Sequence, residues 1–511
     1  MQRLDIMKHF SLALLVLFGS NITAQTHQDG DSLWNVSTVH EIHLNFTQPS
    51  YWDTLEDGYT NDYYTVCQLV LNGRVMDDVG AKFKGNSSYN NPSDKKSFKI
   101  DFNEFDSTLS YDGIKKINLN NCFKDPTFMR EKLALDFCRR QGILAPRCTY
   151  ARVYINSSYW GLYTLVEEVN AKFLTQRFNN NDGNLFKGDP SGDLRWLGSS
   201  PSLYYNKYEL DRTQTNDWSD LVHTIDVINN TPSANFQDSL PTVFDTWSVL
   251  KAAAFSNIFS NLDSYTGSGH NYYIYHDEDA DIFRWIVWDV NEAFGNFQMN
   301  MNANTIQTIP YNYLNQPANR PLLNNMFNNS VHHQDYINAL CVMLSNDFSN
   351  DFMDPMIDSI ANVIRPYVYA DTHKFYTNQN FEDNITMAIT LPGPNGGITM
   401  PGLKSFITAR RNALMNQLSA FGCWLSVPDN SSNITTFNQA PNPANDYFNI
   451  TPAGTERYSY RVFNIQGQWV ASQENVRGVT SVSCSTWPNG IYFVEFITTS
   501  QRQALKIIVT H

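Results

Sequence analysis

The stretch SNLDSYTGSGHNYYIYHDEDADIFRWIVWDVNEAFG, residues 260–295, decides the fold. It reads as a loop, two strands joined by an acidic turn, and a second loop. Asp263 lies in the Gly/Ser-containing first loop and Asn271 ends it; NYYIY and FRWIVW are strands around DEDAD, and Asp289 follows the second strand. Taken singly, each Asp or Asn is an ordinary turn or cap residue. The ordered set of loop Asp, Asn, hairpin and Trp-Asp is more specific than any member of it.

Phosphoryl transfer calls for such an order. A carboxylate must orient the attacking hydroxyl, and oxygen ligands must hold Mg2+ against the phosphates. Protein kinases draw these groups from a catalytic-loop Asp, an Asn shortly after it, and an Asp beyond the next hairpin. Asp263, Asn271 and Asp289 stand in that order, although residues 264–270 make a longer gap than the kinase signature has.

Upstream, strand-like runs begin at Val39 with VHEIHLNFTQPSYW and recur at CQLVLNGRV, VGAKFKG and KKSFKIDF, which predicts a sheet-rich N-terminal lobe. A helix follows, with Asp125 as N-cap, Pro126 at the first helical position, Met129, Leu133 and Phe137 on one face, and Gly142 as the stop. Next come two strands around a tight turn, ARVYINSSYWGLYTLVEEV, and mixed helix and loop to about residue 425, mainly helical over 321–422. A kinase needs a lysine on the nucleotide and a helix glutamate to hold it. Lys96 and Lys99 on one strand are the candidates, with Glu131 on the capped helix as partner. The loop GNSSYNN, with Ser87 and Ser88, either covers phosphates or is a plain hairpin turn. Glu167 and Glu168 end the paired strands where two lobes would join, so both are candidates for the nucleotide edge.

KKSFKIDF, RVYINSSYWGLYTLVEEV, the Asp263–Asn271 loop, WDVNEAFG and GLKSFITARRNALMNQL together resemble the CotH (spore coat protein H) kinase family, in that order, over about residues 38–422. The resemblance implies an atypical protein-kinase-like fold that binds ATP and Mg2+, with Asp263 as the catalytic Asp and Asp289 on the metal. Similarity at KKS favours Lys96. The family often shows WDxD where this chain has Asn291, and a neutral amide ligates a metal more weakly than a carboxylate does.

Residues 1–24 read as a signal peptide: Arg3 and Lys8 precede the apolar run Phe10–Phe18, and cleavage is expected near Ala24. That run is shorter than the roughly 20 residues of a membrane span. A formal charge of −14 without a long basic run argues against a nucleic-acid partner. The seven cysteines lack CxxC or metal spacing, and in an oxidising compartment some can pair. At the other end, SVPDNSSNITTFNQAPNPAN loses periodicity, which sets a linker at 426–440. Short strands such as YSYRVFNIQGQWVAS, GIYFVEFITT and ALKIIVTH follow. With PNPAN and the terminal KIIVTH, they resemble the sorting domain of the type IX secretion system of Bacteroidota, which implies that machinery as a partner and passage through both membranes; an Ig-like binding module is the other reading.

The expected chain is therefore α+β: a bilobal atypical protein-kinase-like domain over 36–425, then a small all-β Ig-like sandwich over 441–511. The expected function is an exported phosphotransferase, at the cell surface or beyond, moving a phosphoryl group from ATP to a protein or glycan hydroxyl. The alternative is a non-catalytic surface protein, structural or glycan-binding, on the same fold.

Overall fold

The computed structural model describes residues 29–34, 39–392, 397–423, 437–453, 457–464, 468–498 and 502–511. The expected signal peptide lies outside the described residues. Seven strands form the N-terminal unit: β1 (His40–Asn45), β2 (Thr65–Leu71), β3 (Arg74–Lys84), β4 (Ser97–Asp101), β5 (Lys116–Asn120), β6 (Cys148–Ile155) and β7 (Ser158–Glu167). They close into a barrel in the order β1-β2-β3-β4-β5-β7-β6, with β1 parallel to β6 and the other neighbours antiparallel. The tight turn between β6 and β7 puts Asn156 and Ser157 both at positive φ, 46° and 69°, the twist-matched hairpin geometry.

Alternation fixes which residues fill the barrel. Ile42, Leu44, Leu69, Leu71, Val79, Ala81, Phe83, Phe98, Ile100, Ile117 and Leu119 form one buried cluster. Their neighbours therefore point outward. Lys82, Lys84, Lys99, Asn118 and Asn120 share the outer face, Lys99 pairing with Lys82 on one side and Asn118 on the other.

A second core holds the helices Arg130–Arg140, Ser219–Asn230, Thr246–Ile258, Pro321–Asn328, Ser330–Asn346, Asn350–Ala370 and Leu403–Leu418. It also takes outward residues of the barrel, Tyr150, Leu162 and Val166. A second sheet, ordered β11-β10-β8-β9, is built from β8 (Leu185–Lys187), β9 (Glu209–Arg212), β10 (Tyr272–Asp277) and β11 (Ile282–Val287). Fully buried Arg410 donates to the carbonyls of Asn257 and Ile309, closing the end of the helix Thr246–Ile258. The region 321–422 also contains a short hairpin, β12 (Ile389–Leu391) and β13 (Ile398–Met400).

Several expectations change. The helix expected from Pro126 begins at Arg130 with Met129 before it. Asp125 instead folds a turn ahead of the helix, accepting from the amides of Thr127 and Arg130 and from the Arg130 guanidinium. The expected linker ends early: Phe437–Ala440 is strand β14, paired with β15 (Tyr447–Pro452), and residues 424–436 lie outside the described residues. Phe437 stacks on Phe496 at 4.5 Å, so the pattern-poor sequence is drawn into the C-terminal core. That core is shared by two antiparallel sheets, one containing β14 and β15 and the other running over Tyr458–Asn464, Trp469–Val476, Gly490–Ile497 and Arg502–Val509. Cys341 and Cys423 are disulfide-bonded, joining the helix Ser330–Asn346 to the chain just beyond Leu403–Leu418, while the other five cysteines are buried thiols.

One ion pair ties the barrel to the helices. Lys95 and Asp371 are both fully buried, with Nζ 2.5 Å from Oδ2, and Asp371 also accepts the amides of Leu162 and His373. A Cβ on Gly161 would lie 2.4 Å from the same Oδ2, so glycine is required there. Removing one partner strands a buried charge, so Lys95→Met should cost about 3–5 kcal/mol, and Lys95→Met with Asp371→Leu less than Asp371→Leu alone. Urea unfolding at neutral pH measures both.

Candidate active site

The loop carrying Asp263 is fixed by its own backbone. The Ser268 amide donates to the Leu262 carbonyl and the Gly267 amide to that of Ser264. A Cβ on Gly267 would sit 1.9 Å from the Leu262 carbonyl oxygen, so only glycine permits this turn. Asn271 closes it at φ 62°, its Nδ2 donating to the Asp263 carbonyl at 3.0 Å. Tyr272 pairs with Val287 across the β10–β11 hairpin, so Asn271 and Asp289 leave the same end of it. Asp289 is also left-handed, at φ 50°, a conformation Asp and Asn tolerate better than most side chains.

The outer face of the barrel supplies the other wall. Lys84 donates to Asn118 Oδ1 at 2.9 Å and to Asn120 Oδ1 at 3.3 Å, and Asn120 in turn donates to Glu131 Oε1 at 2.8 Å. Burial pulls the Lys84 ammonium below its ordinary range, opposed by the charges of Glu168, Asp289 and Glu131. Burial and then the charge of Asp289 push the Glu131 carboxyl up. Asp289 is raised by burial and by Asp263. Glu292, 2.6 Å from Lys124, is raised by burial and, against the pull of that lysine, by Asp263 and Asp289. Lys84, Glu131, Asp263, Asp289 and Glu292 thus share one electrostatic site.

The structure brings only part of the expected set together. Lys96 does not reach Glu131: its Nζ donates to the carbonyls of Tyr89 and Asn91, both at 2.6 Å, and holds its own loop closed. Lys99 pairs with Glu168 at 2.5 Å rather than with Glu131. That pair lines a cavity of about 360 Å3 bordered by Val169, Asn170, Leu185 and Asp211. Glu167 points elsewhere, bonded to Arg147 at 2.6 Å and Arg177 at 2.7 Å. Ser87 is exposed and the Ser88 carbonyl accepts from Asn91 and Asn121; neither residue contacts Asp263 or Asp289 among the described residues. Asn291 is half-buried two positions past Asp289.

Lys84 and Glu292 therefore join the site beyond the candidates drawn from the sequence, and of the two glutamates after the paired strands it is Glu168 that lines the cavity. Alternation in VGAKFKG already puts Lys84 opposite in facing to Phe83, which was the available signal. Glu292 lies three residues after Asp289, so the WDxD frame passes over it.

The family model described as CotH kinase protein matches residues 81–390, which include both walls of this site. The chain belongs to the CotH kinase family. Another CotH protein, inner spore coat protein H of Bacillus subtilis, is 26% identical over 295 residues, covering 56% of this chain and 77% of that protein. Invasin CotH3 of Rhizopus delemar is 22% identical over 356 residues, covering 64% of this chain, which spans 57% of the invasin. The proinflammatory kinase CtkA of Helicobacter pylori aligns over 63% of this chain and 92% of its own at 10% identity, with a TM-score of 0.23. Residues 440–510 match the secretion system C-terminal sorting domain, a tail that marks the CotH domain for export. Among the described residues, no helix is long and apolar enough to cross a membrane.

Glu167 offers a test of the corrected assignment. Burial works to raise its carboxyl, yet Arg177 and Arg147 hold it down to about 2, against an ordinary 4.5. Its contribution to stability is then full above pH 4.5 and lost as pH falls through about 2. Glu167→Gln should destabilise by about 3 kcal/mol at neutral pH, the gap to wild type narrowing through that acid window. Denaturant midpoints across pH measure it, and a nucleotide-edge role predicts no such gap.

Proposed function

We propose that this protein is an exported phosphotransferase that moves the γ-phosphoryl group of ATP, with Mg2+, to a protein or glycan hydroxyl. The observation that carries the reading is the convergence of Lys84 and Glu131 from one side with Asp289 and the Asp263 loop from the other. This is the group set that phosphoryl transfer demands: a cation for the phosphates, an acid to orient it, a metal-binding carboxylate and a hydroxyl-orienting carboxylate.

The donor set suits a hard cation. Asp289 and Asn271 supply oxygens, and because Asn271 Nδ2 is spent on the Asp263 carbonyl, its Oδ1 is the atom left to ligate. The carboxyls of Asp289 and Glu292 are raised by burial and by neighbouring acids, a repulsion that a divalent cation would relieve. Mg2+ held by Asp289, Asn271 and Asn291 would neutralise phosphate charge and orient the leaving group. Lys84 reaches the phosphates, Glu131 and Asn120 hold that lysine's surroundings, and Asp263 takes the acceptor proton. The Lys99–Glu168 cavity, beside the junction after β7, receives the rest of the nucleotide.

A second reading, a non-catalytic surface or glycan-binding protein, draws on one observation: among the described residues no three of His, Cys, Asp and Glu converge as a ready metal cage. Mg2+ keeps several waters and needs only one or two carboxylates, which favours the first reading.

Two substitutions separate the roles. Asp289→Ala should abolish Mg2+-dependent nucleotide binding, whereas Asp263→Ala should keep binding and lose transfer by about a hundredfold or more. Calorimetric titration with ATP and release of labelled phosphate measure them. Wild-type protein that neither binds ATP with Mg2+ nor transfers phosphate would leave the non-catalytic reading.

A further inference from the structure

Two donors converge on one oxygen of Asp263. The Ser268 hydroxyl donates to Oδ1 at 3.1 Å, and the His270 imidazole Nε2 stands 3.0 Å from the same atom. Asn271, next in the chain, grips the main-chain carbonyl of Asp263. His270 and Asn271 thus hold one residue by its side chain and its backbone. Among the described residues, no donor reaches Oδ2.

The two donors are not equal. Ser268 has a single hydroxyl proton and a second acceptor, the Ser264 carbonyl, at 3.4 Å, so it serves Oδ1 only part of the time. The imidazole is a flat donor carried on the residue whose successor is locked at the hairpin end. A carboxylate oxygen that already accepts hydrogen bonds is a poorer proton acceptor than its free twin, because the donors stabilise the charge it carries.

We propose that His270 is a positioning residue for phosphoryl transfer: by pinning Oδ1 it makes Oδ2 the atom that receives the acceptor proton. This rests on the phosphotransfer reading. In the step, the acceptor O–H gives its proton to Oδ2 as the acceptor oxygen bonds to the γ-phosphorus. The bond from that phosphorus to the β–γ bridging oxygen breaks, and its electron pair stays on the departing diphosphate. Without His270, the carboxylate rotates about its side-chain torsions and presents Oδ2 in the productive direction for a fraction of the time.

The test uses the full chain with ATP and Mg2+, reading γ-phosphoryl transfer to water and to the chain's own hydroxyls, with ATP affinity in parallel. His270→Leu should lower kcat by about 10- to 100-fold, a part of the usual general-base contribution. ATP affinity should stay within about twofold, since the residue acts on the hydroxyl side of the reaction. His270→Gln, whose amide nitrogen reaches the place of Nε2, should recover transfer to within about fivefold of wild type. If leucine lowers Tm, His270→Asn, polar but too short to reach Oδ1, should show the same loss. Equal rates for the leucine and glutamine variants, or ATP affinity lost in step with rate, would overturn the inference while leaving the phosphotransfer reading intact. A wild-type chain that binds ATP with Mg2+ and transfers nothing would overturn both.

Discussion

A closed barrel allows each strand residue only two directions, into the core or out of it, and the cleft depends on that constraint. Phe83, Phe98, Ile100, Ile117 and Leu119 are committed to the interior. Lys84, Lys99, Asn118 and Asn120 then share the outer face, where Lys84 bonds both asparagines. A slip of one residue in β3 would send Lys84 inside and Phe83 into the cleft, so the hydrophobic core itself selects the cation that faces Asp289.

The second constraint is the tie between barrel and helices. Lys95 crosses to Asp371, both side chains fully buried, and Lys96 folds back onto the carbonyls of its own loop. Adjacent lysines thus do different structural tasks: one anchors the end of β4 to the helical unit, and the other closes residues 89–96 into a compact strap. A buried pair of this kind adds little stability over an apolar match but is costly to break, which suits a contact that fixes orientation. Between β5 and the helix Arg130–Arg140, Cys122, Lys124 and Phe128 all adopt positive φ, 59°, 60° and 59°. Strained backbone concentrated in one short loop is characteristic of functional sites, and this loop carries Lys124 to Glu292 and delivers Glu131.

Much of this was legible in the sequence because it is local. The Asp263 loop, the β10–β11 hairpin and Asp289 follow one another within 36 residues, and turn chemistry with period-two alternation fixes their order. The tail was legible in the same way, as short strands between turn signals. What escaped was decided by contacts distant in sequence. Lys99 and Lys84 look equivalent as strand lysines; only the partners Glu168 and Asn118, contributed by other elements, tell them apart, while Lys96 is taken up by the carbonyls of Tyr89 and Asn91. Glu167 and Glu168 are neighbours that alternation sends to opposite sides, one to two arginines and one to Lys99. Asp125 carried a good cap signature, but its carboxylate is taken by Arg130, and the helix begins at Arg130 instead of at Pro126. At Phe437, burial against the C-terminal core overrode a linker-like composition.

The central claim is that Lys84, rather than Lys96 or Lys99, faces the phosphates of the nucleotide. Calorimetric titration of ATP with Mg2+ into wild type, Lys84→Met and Lys96→Met tests it most directly. The account predicts that Lys84→Met raises Kd by about tenfold or more, roughly 1.4 kcal/mol, while Lys96→Met leaves it unchanged. An unaltered Kd for Lys84→Met beside a large loss for Lys96→Met would contradict it.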